Sequence, residues 1–218
     1  MIENKKITFL FGQGNWLEAY CDEIVAELSK KNDVNVAFKH EDINDGDVAF
    51  FLGYPRIIPI EFLNKNTKNY VIHASDLPKG RGMSPWVWDV LNGAKKLHLC
   101  LLEAAEGLDE GNIIYKDEIA LEGTELVDNL RDLIGFQSVK MLARFFNEPH
   151  FPPVGIPQDG EASYHPRRRP NDSEIDITKP LDSQFNLLRV VDNNAYPAFF
   201  KKNGVKYILK IEKSDERS

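Results

Sequence analysis

Cysteine is nearly absent: the 218 residues hold two, Cys21 and Cys100, far apart and in no CxxC or CxxH spacing. Two isolated thiols exclude a disulfide framework and a zinc knuckle, and they fit a reducing, cytoplasmic compartment. Long hydrophobic runs are missing too. Nothing approaches the ~18 uninterrupted apolar residues of a membrane span, so no contact with a membrane is expected. Met1-Ile-Glu-Asn-Lys-Lys leads straight into a strand-like segment, and no secretory signal is expected. Positive charge is in deficit, with 27 Lys and Arg against 34 Asp and Glu, a formal net charge of −7. A protein that grips a long nucleic acid carries a basic face, so nucleic acid is not an expected partner. The one concentrated basic run, Arg167-Arg168-Arg169, is followed by Asp172, Glu174 and Asp176. That mixture suits either a solvated loop or a site for a small polyanion such as a pyrophosphate.

What is present is an alternation of short apolar runs and amphipathic stretches. Lys6–Phe11 reads as a buried strand, and Trp16–Lys31 carries a helical stripe at Trp16, Leu17, Tyr20, Ile24, Val25 and Leu28. Val34–Phe38, Val48–Leu52 and Tyr70–Ile72 read as further strands, with a short helix at Pro59–Asn64. Ser84-Pro85 has the order of an N-cap followed by a first helical proline, which predicts a helix over Trp86–Leu91. Leu97, Leu99 and Leu101 alternate with Lys96, His98 and Cys100, a half-buried strand whose hairpin partner is Ile113–Glu118. Thr124–Asn147 is long enough for a major helix. The fold class that follows is α/β, a Rossmann-like, mostly parallel sheet flanked by helices over residues 1–150.

From Glu148 the prolines at 149, 152, 153 and 157 predict a crossing linker. Beyond it Leu181–Val191 is amphipathic, with Asp182, Asn186 and Arg189 on a polar face. Ala198–Phe200 and Tyr207–Ile211 flank Asn203-Gly204, the type I′ turn dipeptide. Residues 151–218 therefore read as linker, one helix and a β-hairpin appendage, whose free edge suits pairing with a second copy.

His73 stands at the carboxyl end of a central strand, where open α/β sheets place their sites. A Gly- and Pro-rich loop follows and leads to a helix N-terminus, whose amides suit an anion. By itself a strand-end histidine is more often structural than catalytic. Asp109-Glu-Gly lies 36 residues later in a turn, where a carboxylate is common for turn reasons alone. The Gly12-Gln13-Gly14 triplet after the first strand reads as a turn. His40, His98, His150 and His165 have no ligand spacing, and no metal site is expected.

The order His73-Ala-Ser75-Asp-Leu77-Pro78-Lys-Gly-Arg81-Gly82-Met-Ser-Pro85, followed by Asp109-Glu-Gly111, resembles the formyltransferases that use N10-formyltetrahydrofolate. The resemblance runs from about Phe50 to Phe146. The tail segment Ser163–Asp176, with Tyr164 and the three arginines, and the segment Phe185–Phe200 are similar to enzymes acting on amino-sugar nucleotides, those of pseudaminic-acid-type pathways foremost.

The resemblance implies formyl transfer to a 4-amino-4,6-dideoxy sugar linked to UDP or dTDP, for surface polysaccharide or flagellar glycan synthesis, by a homodimer. His73 and Asp109 would be catalytic. Tyr54, Arg56, Ile57, Ile58, Glu103 and Asp109 would line the folate pocket, although Ile57 and Ile58 are equally compatible with core packing. Ser75, Lys79, Arg81, Ser84, Trp86, Tyr164, Arg167, Arg168 and Arg169 would meet the sugar nucleotide, with Trp86 and Trp88 also suited to plain packing. The family pattern has Asn two residues before the histidine, where this chain has Val71. Asn69 shares that strand face but lies ~6–7 Å further along. A backbone N–H, Ser75 or His73 alone remain to hold the formyl oxygen. A methionyl-tRNA formyltransferase-like enzyme and a non-catalytic folate or nucleotide-sugar binder are the alternatives.

Overall fold

The run Ile-Thr-Phe-Leu-Phe is apolar on both faces, and Lys6–Phe11 accordingly forms β1, buried at every position after Lys6. In the computed structural model, which describes residues 2–214, β1 is flanked by β2 (Asp33–Ala37) and β3 (Gly46–Leu52), both parallel to it. Next to β3 runs β4 (Asn66–His73), also parallel. A hairpin, β6 (Lys96–Glu103) and β7 (Ile113–Ala120), completes the sheet antiparallel to it, in the order β2-β1-β3-β4-β6-β7.

Both faces of this sheet are covered, which is why its central strands read as unbroken apolar runs. On one face α1 (Glu18–Ser29) and α4 (Val127–Phe146) pack over Phe9, Phe50, Tyr70 and Leu99. Phe50 stacks on Phe9 and Tyr70, each at 5.5 Å between ring centroids, and Phe145 closes edge-on from α4. On the other face α2 (Ile60–Leu63) covers Leu10, Ala49 and Phe51. Along β4 the alternation sends Tyr70 and Ile72 toward α4, and Val71 and His73 toward the α2 side.

Several expectations are corrected. Helix α1 starts at Glu18 because Asn15 Oδ1 takes the Leu17 N–H and finishes a turn there. Ser84 precedes α3 (Pro85–Leu91) but is left-handed, with φ 53°, and makes no side-chain cap bond; the proline starts the helix. Cys100 is fully buried, since Leu77 and Leu102 cover the β6 face that alternation assigned to solvent. The stretch expected as one helix over Leu181–Val191 divides into a 3₁₀ turn, Asp182–Gln184, and α5 (Phe185–Val190). Gln184 holds that turn to the preceding loop by bonds to both backbone groups of Asp176. Arg189, expected on a polar face, is 2% exposed and bonds Glu125 through its backbone oxygen and its carboxylate.

After Glu148 the chain folds back over the α/β unit. Ile156 and Ile113 exchange backbone hydrogen bonds at 2.8 and 2.9 Å. The two-residue strand β8 (Tyr164–His165) then pairs in parallel with β5 (Arg81–Gly82) in the loop beyond β4, and α5 packs against α3. Finally β9 (Ala198–Lys202) and β10 (Val205–Leu209) form the hairpin, turning at Asn203-Gly204 with φ 52° and 77° as a type I′ turn requires.

Candidate active site

Strand β4 ends on His73, 7% exposed, with Gly80 facing one ring nitrogen and Asp109 the other. Nε2 lies 3.0 Å from the Gly80 carbonyl oxygen, which can only accept, so the bond puts a proton on Nε2. Nδ1 lies 3.6 Å from Asp109 Oδ2. That same carboxylate oxygen accepts the Gly82 N–H at 2.9 Å. Asp109 sits in the turn between β6 and β7 with φ 54°, a left-handed conformation that aspartate tolerates better than most residues. Thus the loop after β4 supplies Gly80 and Gly82, and the β6–β7 turn supplies the acid.

The pair stands in a cleft of about 560 Å³. Every residue expected at the donor, namely Tyr54, Arg56, Ile57, Ile58, Glu103 and Asp109, lines it, as does Val71. Ile57 is 76% exposed, a lining residue with little packing of its own. Tyr54 is oriented by His40, whose Nδ1 lies 2.9 Å from its hydroxyl. Glu103 is tied to Lys68 at 2.7 Å. Asn69 does not reach this cleft: its Nδ2 donates to Leu63 O at 2.8 Å.

A second cleft, about 620 Å³, adjoins the first and shares Trp16, Pro55, Arg56, Met83, Ser84 and Trp86 with it. Arg131, Arg167, Arg168, Arg169 and Tyr196 line much of the rest. Arg168 is half-buried, and this burial pulls its pKa below the ordinary arginine value. One Nη donates to Asp172 O, while its buried Nε has no partner among the described residues. Arg131 pairs with Asp192 at 2.8 Å, and its Nε is also unsatisfied. Guanidinium groups concentrated beside aromatic rings form a wall suited to a phosphorylated ligand with a flat group.

The predicted acceptor residues divide. Ser84, Trp86 and the three consecutive arginines line the second cleft. Ser75, Lys79, Arg81 and Tyr164 line neither. Ser75 is 1% exposed beneath the loop, and Lys79 faces solvent. Arg81 and Tyr164 instead bond each other and Glu110. Sequence reasoning missed Trp16, Arg131 and Tyr196. Arg131 looked like any charged residue of a long helix, because Asp192, the nearer of its two ion-pair partners among the described residues at 2.8 Å against 3.4 Å for Asp128, lies far along the chain.

Among the described residues, no helix is long and apolar enough to cross a membrane, and no group of three or more His, Cys, Asp or Glu side chains is disposed to hold a metal ion.

Residues 32–145, just over half of the chain, match the family model described as Formyl transferase. The chain is 28% identical over 202 residues to the methionyl-tRNA formyltransferase of Thermodesulfovibrio yellowstonii, covering 88% of this chain and 63% of that protein. It spans about half to three fifths of the length of the curated relatives it matches. Among solved structures, a methionyl-tRNA formyltransferase from Clostridium thermocellum superposes with a TM-score of 0.82 at 21% identity, covering 96% of this chain and 93% of that one. A 4-N formyltransferase from Francisella tularensis superposes with a TM-score of 0.72 at 19% identity, covering 97% and 99%. At these identities the superpositions establish a shared fold.

Proposed function

This chain belongs to the formyl transferase family, and from that premise we propose that it moves a formyl group from N10-formyltetrahydrofolate to the amine of a nucleotide-linked amino sugar, of the 4-amino-4,6-dideoxy class. The observation that carries the reading is the junction of the two clefts. His73 and Asp109 stand in one, and through Arg56, Ser84 and Trp86 it opens into another walled by Arg131 and Arg167–Arg169.

The donor cleft offers apolar side chains of Ile57, Ile58 and Val71 beside the polar groups of Tyr54 and Glu103, a mixture that fits a flat, hydrogen-bonding pterin. The acceptor amine attacks the formyl carbon, and the bond from that carbon to the folate N10 breaks. Asp109 takes the proton lost by the amine, directly or through water. His73, in its protonated form, donates from Nδ1 to the oxyanion of the tetrahedral intermediate and assists delivery of a proton to N10. The products are a formamide and tetrahydrofolate. Val71 brings no amide to this step, and Ser75 lies outside the cleft, which leaves His73 and the backbone N–H groups lining the cleft for the oxyanion contact; this reading gives it to His73. Across the second cleft, the arginines hold a diphosphate by charge-assisted bonds and the indoles of Trp16 and Trp86 offer faces for base or sugar.

A methionyl-tRNA acceptor is the second reading, favoured by the relative at 28% identity. The net charge of −7 runs against a long polyanion, and the arginine cleft matches a short one. The presence of both His73 and Asp109 speaks against a non-catalytic binder. The exposed edge of β10, with Val205, Tyr207 and Ile208, is where this reading seats a second copy; light scattering checks the dimer.

Incubating protein, N10-formyltetrahydrofolate and a panel of UDP- and dTDP-linked amino sugars should add about 28 Da to one of them, the mass of the transferred CO. Formylation of methionyl-tRNA with no sugar product would overturn the acceptor assignment.

A further inference from the structure

The backbone of the turn that carries Asp109 is held from outside the sheet by the side chain of Gln158, in the segment read from sequence as a linker. Its Nε2 donates to Asp109 O at 2.7 Å and to Gly111 O at 2.9 Å. Its Oε1 accepts from Arg81 Nη2 at 2.8 Å. The carboxamide thus uses both of its N–H groups and its oxygen within one small network. Arg81 extends that network to the next residue of the turn, pairing with Glu110 Oε1 at 2.9 Å.

Two features make this clamp matter for the reacting groups. Asp109 is left-handed, a conformation that costs an aspartate little but some free energy, which fixed surroundings offset. Its carboxylate is aimed by the backbone, with Gly82 N–H on one side and His73 Nδ1 on the other. On the far side of the turn Gly111 is pressed so tightly that a Cβ there would meet the Glu103 carbonyl. The turn is therefore pinned at Gly111 by contact with β6, and at Asp109 and Gly111 together by Gln158. Arg81, the third partner, lies between Gly80 and Gly82, the residues that bond His73 and Asp109. One carboxamide joins both halves of the site.

We propose that Gln158 is a positioning residue for formyl transfer: its carboxamide clamps the backbone of Asp109 and Gly111 so that the Asp109 carboxylate stays between Gly82 N–H and His73. The rate consequence rests on the proposed function above, whereas the clamp itself does not. Gln158 touches no reacting atom. It acts through Asp109 and differs from a residue that only stabilises the fold in one respect: its effect vanishes once the Asp109 carboxylate is gone.

The test uses the full chain with Gln158→Met, which keeps side-chain length and removes every polar contact, and Gln158→Glu, which keeps an acceptor for Arg81 and removes both donors. In each, kcat should fall about 10- to 100-fold, the scale of a small misplacement of a reacting group, while KM for donor and acceptor stays within about twofold. In an Asp109→Ala background, Gln158→Met should lower kcat no further. Independently of turnover, hydrogen exchange at the Gly82 amide should quicken about tenfold in both variants, with the amides of β1 and β4 unchanged. Wild-type kcat in Gln158→Met, or a loss that adds fully to that of Asp109→Ala, overturns the proposal. If the wild-type protein formylates no amine offered, the formyl-transfer reading fails and Gly82 exchange alone decides the clamp: unchanged exchange rejects it, faster exchange upholds it.

Discussion

His73 and Gly80 meet across the loop that follows β4, with the ring Nε2 3.0 Å from the Gly80 carbonyl oxygen. This bond fixes the face of the imidazole and leaves Nδ1 for Asp109 and the cleft. Gly80 holds the carbonyl there from a left-handed conformation, φ 73°, and a Cβ on it would lie 3.0 Å from Ser75 Cβ. Gly80→Ala should therefore lower stability by roughly 1–2 kcal/mol, the left-handed penalty. It should also reduce kcat by about tenfold or more as the ring loses its anchor. Thermal unfolding and steady-state kinetics check the two halves; an unaltered kcat would detach the Gly80 bond from catalysis.

The buried pair of Glu125 and Arg189, at 2.7 Å, joins the approach to α4 with α5. Removing one member strands the other, so Arg189→Met should cost about 3–5 kcal/mol in denaturant unfolding, and adding Glu125→Gln should recover part of it. Recovery of nothing would show that the two contribute separately.

Glu125 also gives a pH dependence. Burial disfavours its charge, but backbone N–H groups, among them those of Glu122 and Gly123, and Arg189 outweigh it and hold the pKa below the ordinary glutamate value of 4.5. With the folded-state pKa lowered, its contribution is complete above the ordinary value and is lost as pH falls through the folded one. Wild-type unfolding free energy should decline in that acid window, and Glu125→Gln should flatten the decline. An equally steep decline in the variant would remove Glu125 as its source.

In the second cleft, Arg168→Ala should weaken binding of a nucleoside diphosphate by about 10- to 100-fold, the range of a hydrogen bond to a charged group. Binding of the unlinked amino sugar should not change. Titration calorimetry with UDP and dTDP reads this, and equal affinity for variant and wild type would move the diphosphate elsewhere.

The parts of the fold legible in the sequence are those set by local pattern. Lys6–Phe11 and Val48–Leu52 are apolar nearly throughout because both sheet faces are covered, and the long helix expected over Thr124–Asn147 forms as α4. The place of His73 at a strand end was legible from local pattern, whereas its meeting with Asp109 in one cleft was implied only by the family resemblance. Arg81 and Tyr164 carried the right chemistry for an acceptor, yet they bond each other and Glu110, a meeting that only the β5–β8 pairing creates. Gln158 and Arg131 were illegible for the same reason. Their partners, Asp109 and Asp192, lie 49 and 61 residues away, and nothing in either neighbourhood marks the contact. Asn69 shows the converse: its strand face was read correctly, but its amide is spent on Leu63.

A catalytic His73 is tested by the turnover of His73→Asn with N10-formyltetrahydrofolate and the amino-sugar nucleotide that the wild-type protein formylates. Its kcat should fall by about 100-fold or more, the scale of removing an oxyanion donor that also moves protons, with the Kd of the nucleotide sugar unchanged within about twofold. Full turnover in that variant would show that His73 is not the catalytic group.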